Sequence, residues 1–152
     1  MSNSISLFRA FYYKFYAGDT YYCNVCKKGL KTFINSVSNE KVCPSCLSTS
    51  KDRSLWSLLC SEFIDEQDQI LHLSPAKALK RNLESYDNIY YISTDYLKDI
   101  NKGEDDIFST QNIADNTFNV IICSKILEYL PNIEHTLKEL HRILKIGSHC
   151  II

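Results

Sequence analysis

Four cysteines in two tight pairs, Cys23-Asn24-Val25-Cys26 and Cys43-Pro44-Ser45-Cys46, are the residues best suited by type and spacing to do chemistry in this chain. Each Cys-x-x-Cys unit presents two thiolates from one backbone knuckle. The sixteen residues between the pairs let the chain return, so that four sulfurs can meet on one tetrahedral Zn2+. A redox dithiol uses a single such pair at the start of a helix after a strand. Here two pairs flank a segment rich in Lys, Asn and Ser, and the expectation is zinc held by Cys23, Cys26, Cys43 and Cys46. Four thiolates leave no open coordination position, so the expected role is structural. Gly29, three residues after Cys26, is expected to supply a permissive turn, and Lys27 and Lys28 to soften the negative charge of the site.

The remaining cysteines, Cys60, Cys123 and Cys150, lie among apolar neighbours and read as buried small hydrophobes. With 152 residues, 45% of them hydrophobic, the chain can build one moderate core and a small appendage. Seventeen basic and eighteen acidic side chains give a net charge of -1. That balance supplies no broad positive field for a phosphate backbone, so nucleic acid is not the expected partner. The N-terminus has no basic segment followed by an apolar core and a cleavage site, and no apolar run approaches the roughly 20 residues of a membrane span. A soluble protein of the reducing cytoplasm is expected.

The elements that must position these residues follow from periodicity. Over 5–16, Leu7, Phe8, Phe11, Tyr12 and Phe15 fall at helical spacing with Arg9 and Lys14 off the stripe, which predicts an amphipathic helix packed on its own protein and a first segment of 1–21. The cysteine module then occupies 22–50. Ser50 or Asp52 is expected to cap a connecting helix carrying Leu55, Leu58, Leu59 and Phe63, and that helix with its polar linker fills 51–69. From 70 to 152 the pattern becomes α/β. Ile70 to Leu73 predicts a strand, Ala76 to Ser85 a helix, Ile89 to Ile92 a second strand, and Phe118 to Cys123 a strand covered on both faces. Asn132 should cap a helix with Ile133, Leu137, Leu140 and Leu144 on one face, Gly147 should end it, and His149 to Ile152 should begin another strand. This is a doubly wound, Rossmann-like plan, in which ligands sit at the carboxyl ends of the strands.

Five segments in register carry a family resemblance: Leu71-His72-Leu73-Ser74-Pro75; Tyr91-Ile92-Ser93-Thr94-Asp95-Tyr96-Leu97; Ala114 to Cys123; Ile126-Leu127-Glu128-Tyr129-Leu130; and Leu137 to Gly147. Together they resemble a class I S-adenosylmethionine-dependent methyltransferase, of the type 11-like kind. More narrowly, the chain is similar to a subgroup with a zinc-ribbon-like module ahead of the methyltransferase domain. There the second Cys-x-x-Cys is followed by a Ser-, Arg- and Leu-rich helix, as in Ser50 to Trp56.

The resemblance implies S-adenosylmethionine as cofactor and direct methyl transfer to an unidentified acceptor. It implies Leu73, Ser74 and Pro75 as the first cofactor loop, Asp95 on the ribose hydroxyls, and Asp106 with Ile107 at the adenine, Asp105 being the alternative. Cys123 and Ser124 would lie beside methyl transfer. His72 and His141 read as structural, and no catalytic residue is assigned. The chain departs from the family pattern at Ala76, Asn119, Tyr129 and Ser148, where Glu, Asp, His and Gly are usual. It stops four residues into the expected fifth strand, which predicts a sheet incomplete at its C-terminal end and completed by a further segment or a partner chain. The other functions weighed are a zinc-ribbon adaptor for protein or nucleic acid and an inactive methyltransferase remnant.

Overall fold

The computed structural model of the chain describes residues 13–94, 113–124, 126 and 132–152. They form two compact units, Met1–Glu62 with Ala76–Asn82, and Phe63–Pro75 with Leu83–Ile152.

In the first unit residues 13–16 are helical. Strand β1 (Ala17–Cys23) pairs antiparallel with β2 (Lys28–Leu30), and β3 (Ile34–Asn35) pairs antiparallel with β4 (Lys41–Val42). Leu7, Phe8, Arg9, Phe11 and Tyr12 of the expected N-terminal helix lie outside the described residues; Phe15, expected on its packed stripe, is 62% exposed. Helix α1 (Ser50–Leu58) is capped by Thr49 rather than by Ser50 or Asp52. The Thr49 side chain accepts from the Asp52 N–H while the Asp52 carboxylate accepts from the Thr49 N–H, a reciprocal capping box that satisfies two otherwise orphan donors. Beyond Leu58 the chain widens into a π-helical turn, Leu59–Phe63. Trp56 and Leu59 are the buried apolar residues of the helix and this turn, Asp52 is buried with them, and Leu58 is exposed. Helix α2 (Lys77–Leu83) follows later in the chain, and its Asn82 amide donates to the Val25 carbonyl at 2.6 Å.

The second unit is a Rossmann-like α/β sheet of four parallel strands. In chain order these are β5 (Gln69–Leu73), β6 (Tyr90–Thr94), β7 (Phe118–Ile122) and β8 (Leu144–Ile151), and in space the order is β6-β5-β7-β8. Leu71 stands opposite Ile92 on one side and Ile121 on the other, so β5 is the central strand from which the chain departs in both directions. Strands β5 and β7 are almost continuously buried, as parallel strands covered on both faces must be. Their core gathers Leu71, Leu73, Phe118, Ile121, Cys123 and Ile126 with Leu140 and Ile143 of helix α3 (Ile133–Ile143). Asn132 caps α3 as expected, its side chain accepting from the His135 N–H at 3.0 Å. Arg142 reaches from α3 to the Ile113 carbonyl at 2.9 Å and to the Asp115 carboxylate at 2.5 Å, which fixes the turn that feeds β7.

Gly147 does not end α3. Leu144 is already extended and pairs with Phe118, so strand pairing captures the chain before the glycine is reached. The next pair is Val120 with His149, and Gly147, at φ +80°, lies in the bulge that absorbs the surplus residues of β8. Cys60 and Cys150 are exposed rather than buried. Cys60 falls in the π-helical turn, whose buried residue is Leu59, and Cys150 lies on β8, which is mostly exposed or half-buried. Cys123 is fully buried as expected. Among the described residues no helix is long and apolar enough to cross a membrane.

Candidate functional site

The four paired cysteines converge, their sulfurs all lying within 4.8 Å of one another. Cys23 Sγ is 3.7 Å from Cys46 Sγ, and Cys26 Sγ is 3.7 Å from Cys43 Sγ. A disulfide is excluded at that separation, because its bond is about 2.05 Å long. Sulfurs placed about 2.3 Å from a central ion at the corners of a tetrahedron stand about 3.8 Å apart. The observed spacing therefore fits a four-thiolate metal centre, and the cluster can hold a metal ion.

Two knuckles of the same shape build this geometry. Lys27 (φ 54°) and Leu47 (φ 65°), each directly after the second cysteine of its pair, take the left-handed conformation that bends the chain back. In the second knuckle the Leu47 N–H closes the turn on the Cys43 carbonyl at 2.9 Å. Gly29 is not the turn residue expected of it. It lies in β2, where a Cβ would come within 2.5 Å of the Gly18 carbonyl oxygen, so it serves the close approach of β1 and β2.

Polar groups behind the sulfurs complete the centre. Ser48 is fully buried, its Oγ accepting from the Cys46 thiol at 3.1 Å and lying 3.5 Å from Cys23 Sγ, to which its hydroxyl can donate. Arg53 on α1 donates to the Ser48 carbonyl at 2.7 Å and to the Lys41 carbonyl at 3.3 Å, with its guanidinium over the Phe33 ring at 4.0 Å. The Asn24 amide in turn donates to the Arg53 carbonyl at 2.9 Å. One helix residue thus ties β4 and the second knuckle together, and the helix carrying it is tied to the first. Hydrogen bonds from Cys26, Cys43 and Cys46 drive the Cys23 thiol far below the usual thiol range, whereas Cys26 is driven far above it, chiefly by Cys23. Cys46 is likewise lowered, to about 6, and Cys43 is raised, so the four sulfurs are pulled in opposite directions by one another. A divalent cation would remove that conflict.

In the second unit the central position of β5 creates a switch point, the place where an open parallel sheet takes its ligand. Leu73, fully buried, ends β5, and Ser74 follows at φ +48°, a conformation ordinarily left to glycine. The Ser74 N–H donates to the Thr94 carbonyl at the end of β6 at 2.8 Å. Among the described residues, Ser74 Oγ and Thr94 Oγ1 are buried with no hydrogen-bond partner. Pro75 then leads the chain away from the strand. On the other side of β5, Cys123 follows β7, its N–H donating to the Ile151 carbonyl at 2.8 Å and its thiol pushed up to about 12, first by burial and then by Cys150. Ser124 comes next, in a turn. Leu73, Ser74 and Pro75 with Cys123 and Ser124 thus lie at the carboxyl ends of two paired strands. Asp95, Asp105, Asp106 and Ile107 lie outside the described residues. Orphaned hydroxyls at strand ends fit the polar groups of a nucleoside cofactor.

His72 is buried within β5, its Nδ1 3.3 Å from the Tyr91 hydroxyl. His141 is exposed on α3. Reading by spacing missed Ser48, Arg53 and Thr94. Ser48 had a signal, since it follows Cys46 by two residues.

A family model described as a methyltransferase domain matches residues 77–152, half of the chain. Among solved structures, the crystal structure of a selenomethionine-substituted CurJ carbon methyltransferase is similar at 16% identity with a TM-score of 0.43, over 64% of this chain and 32% of that one. The chain therefore spans about a third of the length of that structure. No curated protein matches. With the family model covering half of the chain and a Rossmann-like parallel sheet beneath it, the chain belongs to the class I S-adenosylmethionine-dependent methyltransferases.

Proposed function

We propose that the α/β unit binds S-adenosylmethionine and transfers its methyl group to an acceptor, while Cys23, Cys26, Cys43 and Cys46 hold one structural Zn2+. The observation that carries the cofactor reading is the switch point at β5, where Ser74 turns left-handed and two buried hydroxyls stand without partners among the described residues. When bound, the cofactor supplies a methyl group made electrophilic by its sulfonium. The chain's own residues bind and orient. Leu73, Ser74 and Pro75 form the loop on which the cofactor rests, and the Ser74 turn lets backbone approach it closely. Asp95, next after Thr94, accepts from the ribose hydroxyls, and Asp106 with Ile107, or Asp105, borders the adenine. Cys123 and Ser124 close the site from β7. With its thiol raised to about 12, Cys123 stays protonated near neutrality and serves as a wall rather than as base or nucleophile. Positioning does most of the work, and an acceptor that is already acidic needs no dedicated base.

Titration calorimetry of S-adenosylmethionine into the zinc-loaded chain tests this reading. Saturable heat is expected, weakened at least about tenfold by Asp95→Ala, which removes a charge-assisted bond to a paired hydroxyl. No heat at millimolar ligand would overturn it.

A further inference from the structure

The net charge of -1 is the sum of two unlike parts. The unit that contains the cysteine module carries eleven basic against four acidic side chains; the α/β unit carries six against fourteen. Four thiolates on one Zn2+ add about two negative charges to the first unit and still leave it clearly positive. On its antiparallel ribbon, Tyr21 and Tyr22 of β1 stand opposite Leu30 and Gly29 of β2. Lys28 opens β2 and Lys31 follows it, so lysines bracket Tyr22, while Tyr21, next to it on the strand, turns to the opposite face and packs against the Phe33 ring at 5.8 Å. Lys31 also donates its N–H to the Tyr16 carbonyl at 2.7 Å, which brings the helical residues 13–16 to the same end. Phe15 and Tyr22 are each 62% exposed and Tyr21 is 50% exposed, with Lys14, Lys27, Lys28 and Lys31 exposed among them. Asp19 is the acidic residue of the ribbon.

We infer that this ribbon binds single-stranded nucleic acid. Exposed rings interleaved with ammonium groups are what an unpaired strand needs: faces on which splayed bases stack, and point charges that follow its phosphates. A duplex offers no free base faces to the rings. An anionic membrane would take the lysines, but it needs an apolar face to bury beside them, and the ribbon exposes tyrosines while its Leu30 is fully buried. The inference is independent of methyl transfer, and calorimetric silence toward S-adenosylmethionine would leave it standing.

The test is fluorescence anisotropy of a labelled oligouridylate of about twenty nucleotides, titrated with the zinc-loaded full chain between about 50 and 200 mM salt. Saturable binding that weakens with salt is expected. Lys28→Glu with Lys31→Glu should weaken it more than about tenfold and lower the log-log salt slope by about 1.4, the value for two phosphate contacts on a single strand. Tyr22→Ala should weaken it about five- to a hundredfold at every salt with the slope unchanged. Zinc content is measured for each variant, and if the double lysine variant loses zinc, Tyr22→Ala decides. No binding at low salt, binding indifferent to these residues in zinc-retaining variants, or capture by acidic phospholipid vesicles without oligouridylate binding would each overturn the proposal.

Discussion

In the cysteine module the buried side chains include Cys23, Cys43 and Cys46 beside Val25, Leu30, Trp56 and Leu59; in the sheet, Ile70, Leu71, Leu73, Phe118, Val120, Ile121 and Ile122 are buried in near-unbroken runs. The module has two pairs of strands of two to seven residues and few large apolar groups to cover. A unit that small does not repay its chain entropy by burial alone, and a metal or disulfides must make up the difference. Its four paired cysteines form no disulfide and lie close enough together to hold a metal ion. The sheet needs none, because parallel pairing and two covered faces supply its stability.

The largest effect should therefore separate the two units by their dependence on metal. Chelation, or Cys43→Ser, should abolish the module's fold, since apparent binding energies of structural zinc run to about 10 kcal/mol and more. Hydrogen exchange should show amides of β1, β2 and α1 losing protection while those of β5 and β7 keep theirs, and metal analysis should fall from one zinc per chain. Full zinc retention by the Cys43→Ser protein would end the four-cysteine assignment.

The converse perturbation is Phe118→Ala. Phe118 opens β7 fully buried against the α3 core, and its truncation should cost the sheet about 3 to 5 kcal/mol. Zinc stoichiometry should not change. A denaturant titration followed by both metal release and sheet signal would show whether the two units unfold separately.

Alkali should also strike the sheet first. Burial raises the Cys123 thiol from 9.0 to about 12, so between those values the folded state holds a proton that the unfolded state has lost. Stability is complete below about pH 9 and falls as pH rises toward the folded value. Cys123→Ala should remove close to one proton from the slope of unfolding free energy against pH between 9 and 11.

A smaller effect belongs to the module's polar strap. Arg53→Ala deletes the bonds to the Ser48 and Lys41 carbonyls and the contact with Phe33, and should cost about 1 to 3 kcal/mol. Arg53→Lys should recover little of it, because an ammonium does not reproduce the planar fork. The thermal midpoint of zinc release is the readout.

How far each unit was legible follows from the same contrast. The convergence of the four cysteines was readable because the spacing of paired ligands is a local property, and Cys23 to Cys46 spans few residues. The strands β5 and β7 were readable because burial on both faces forces continuous apolar runs. What escaped depends on competition between neighbours. Thr49 displaces Ser50 and Asp52 as the cap because Asp52 is more useful three residues inside, returning a bond to the cap. Gly147 loses the helix end because Leu144 finds Phe118 first. Leu137 follows the helical period yet is 39% exposed, since the core takes Leu140 and Ile143. In the cofactor region, the roles of Asp95 and Asp106 rest on family resemblance, while the turn at Ser74 and the hydroxyl of Thr94 emerge from backbone geometry that no spacing announces.

The finest test compares this sheet with its own family pattern. Strand β7 reads Phe118-Asn119 where Asp is usual, and Asn119 Oδ1 accepts from the Gln69 N–H at 3.1 Å and from the Lys145 ammonium at 2.8 Å. Both are acceptor roles that a carboxylate fills at least as well, because each donor meets an oxygen and Lys145 is cationic. Asn119→Asp should therefore leave the sheet intact and stabilise it by about 0.5 to 1 kcal/mol, an increment that shrinks with added salt. The gain should vanish in the Lys145→Met background, where the new charge faces no cation. A loss of stability in Asn119→Asp at low salt would mean that desolvation of the half-buried carboxylate outweighs the ion pair, and that the asparagine suits this sheet better than the usual aspartate.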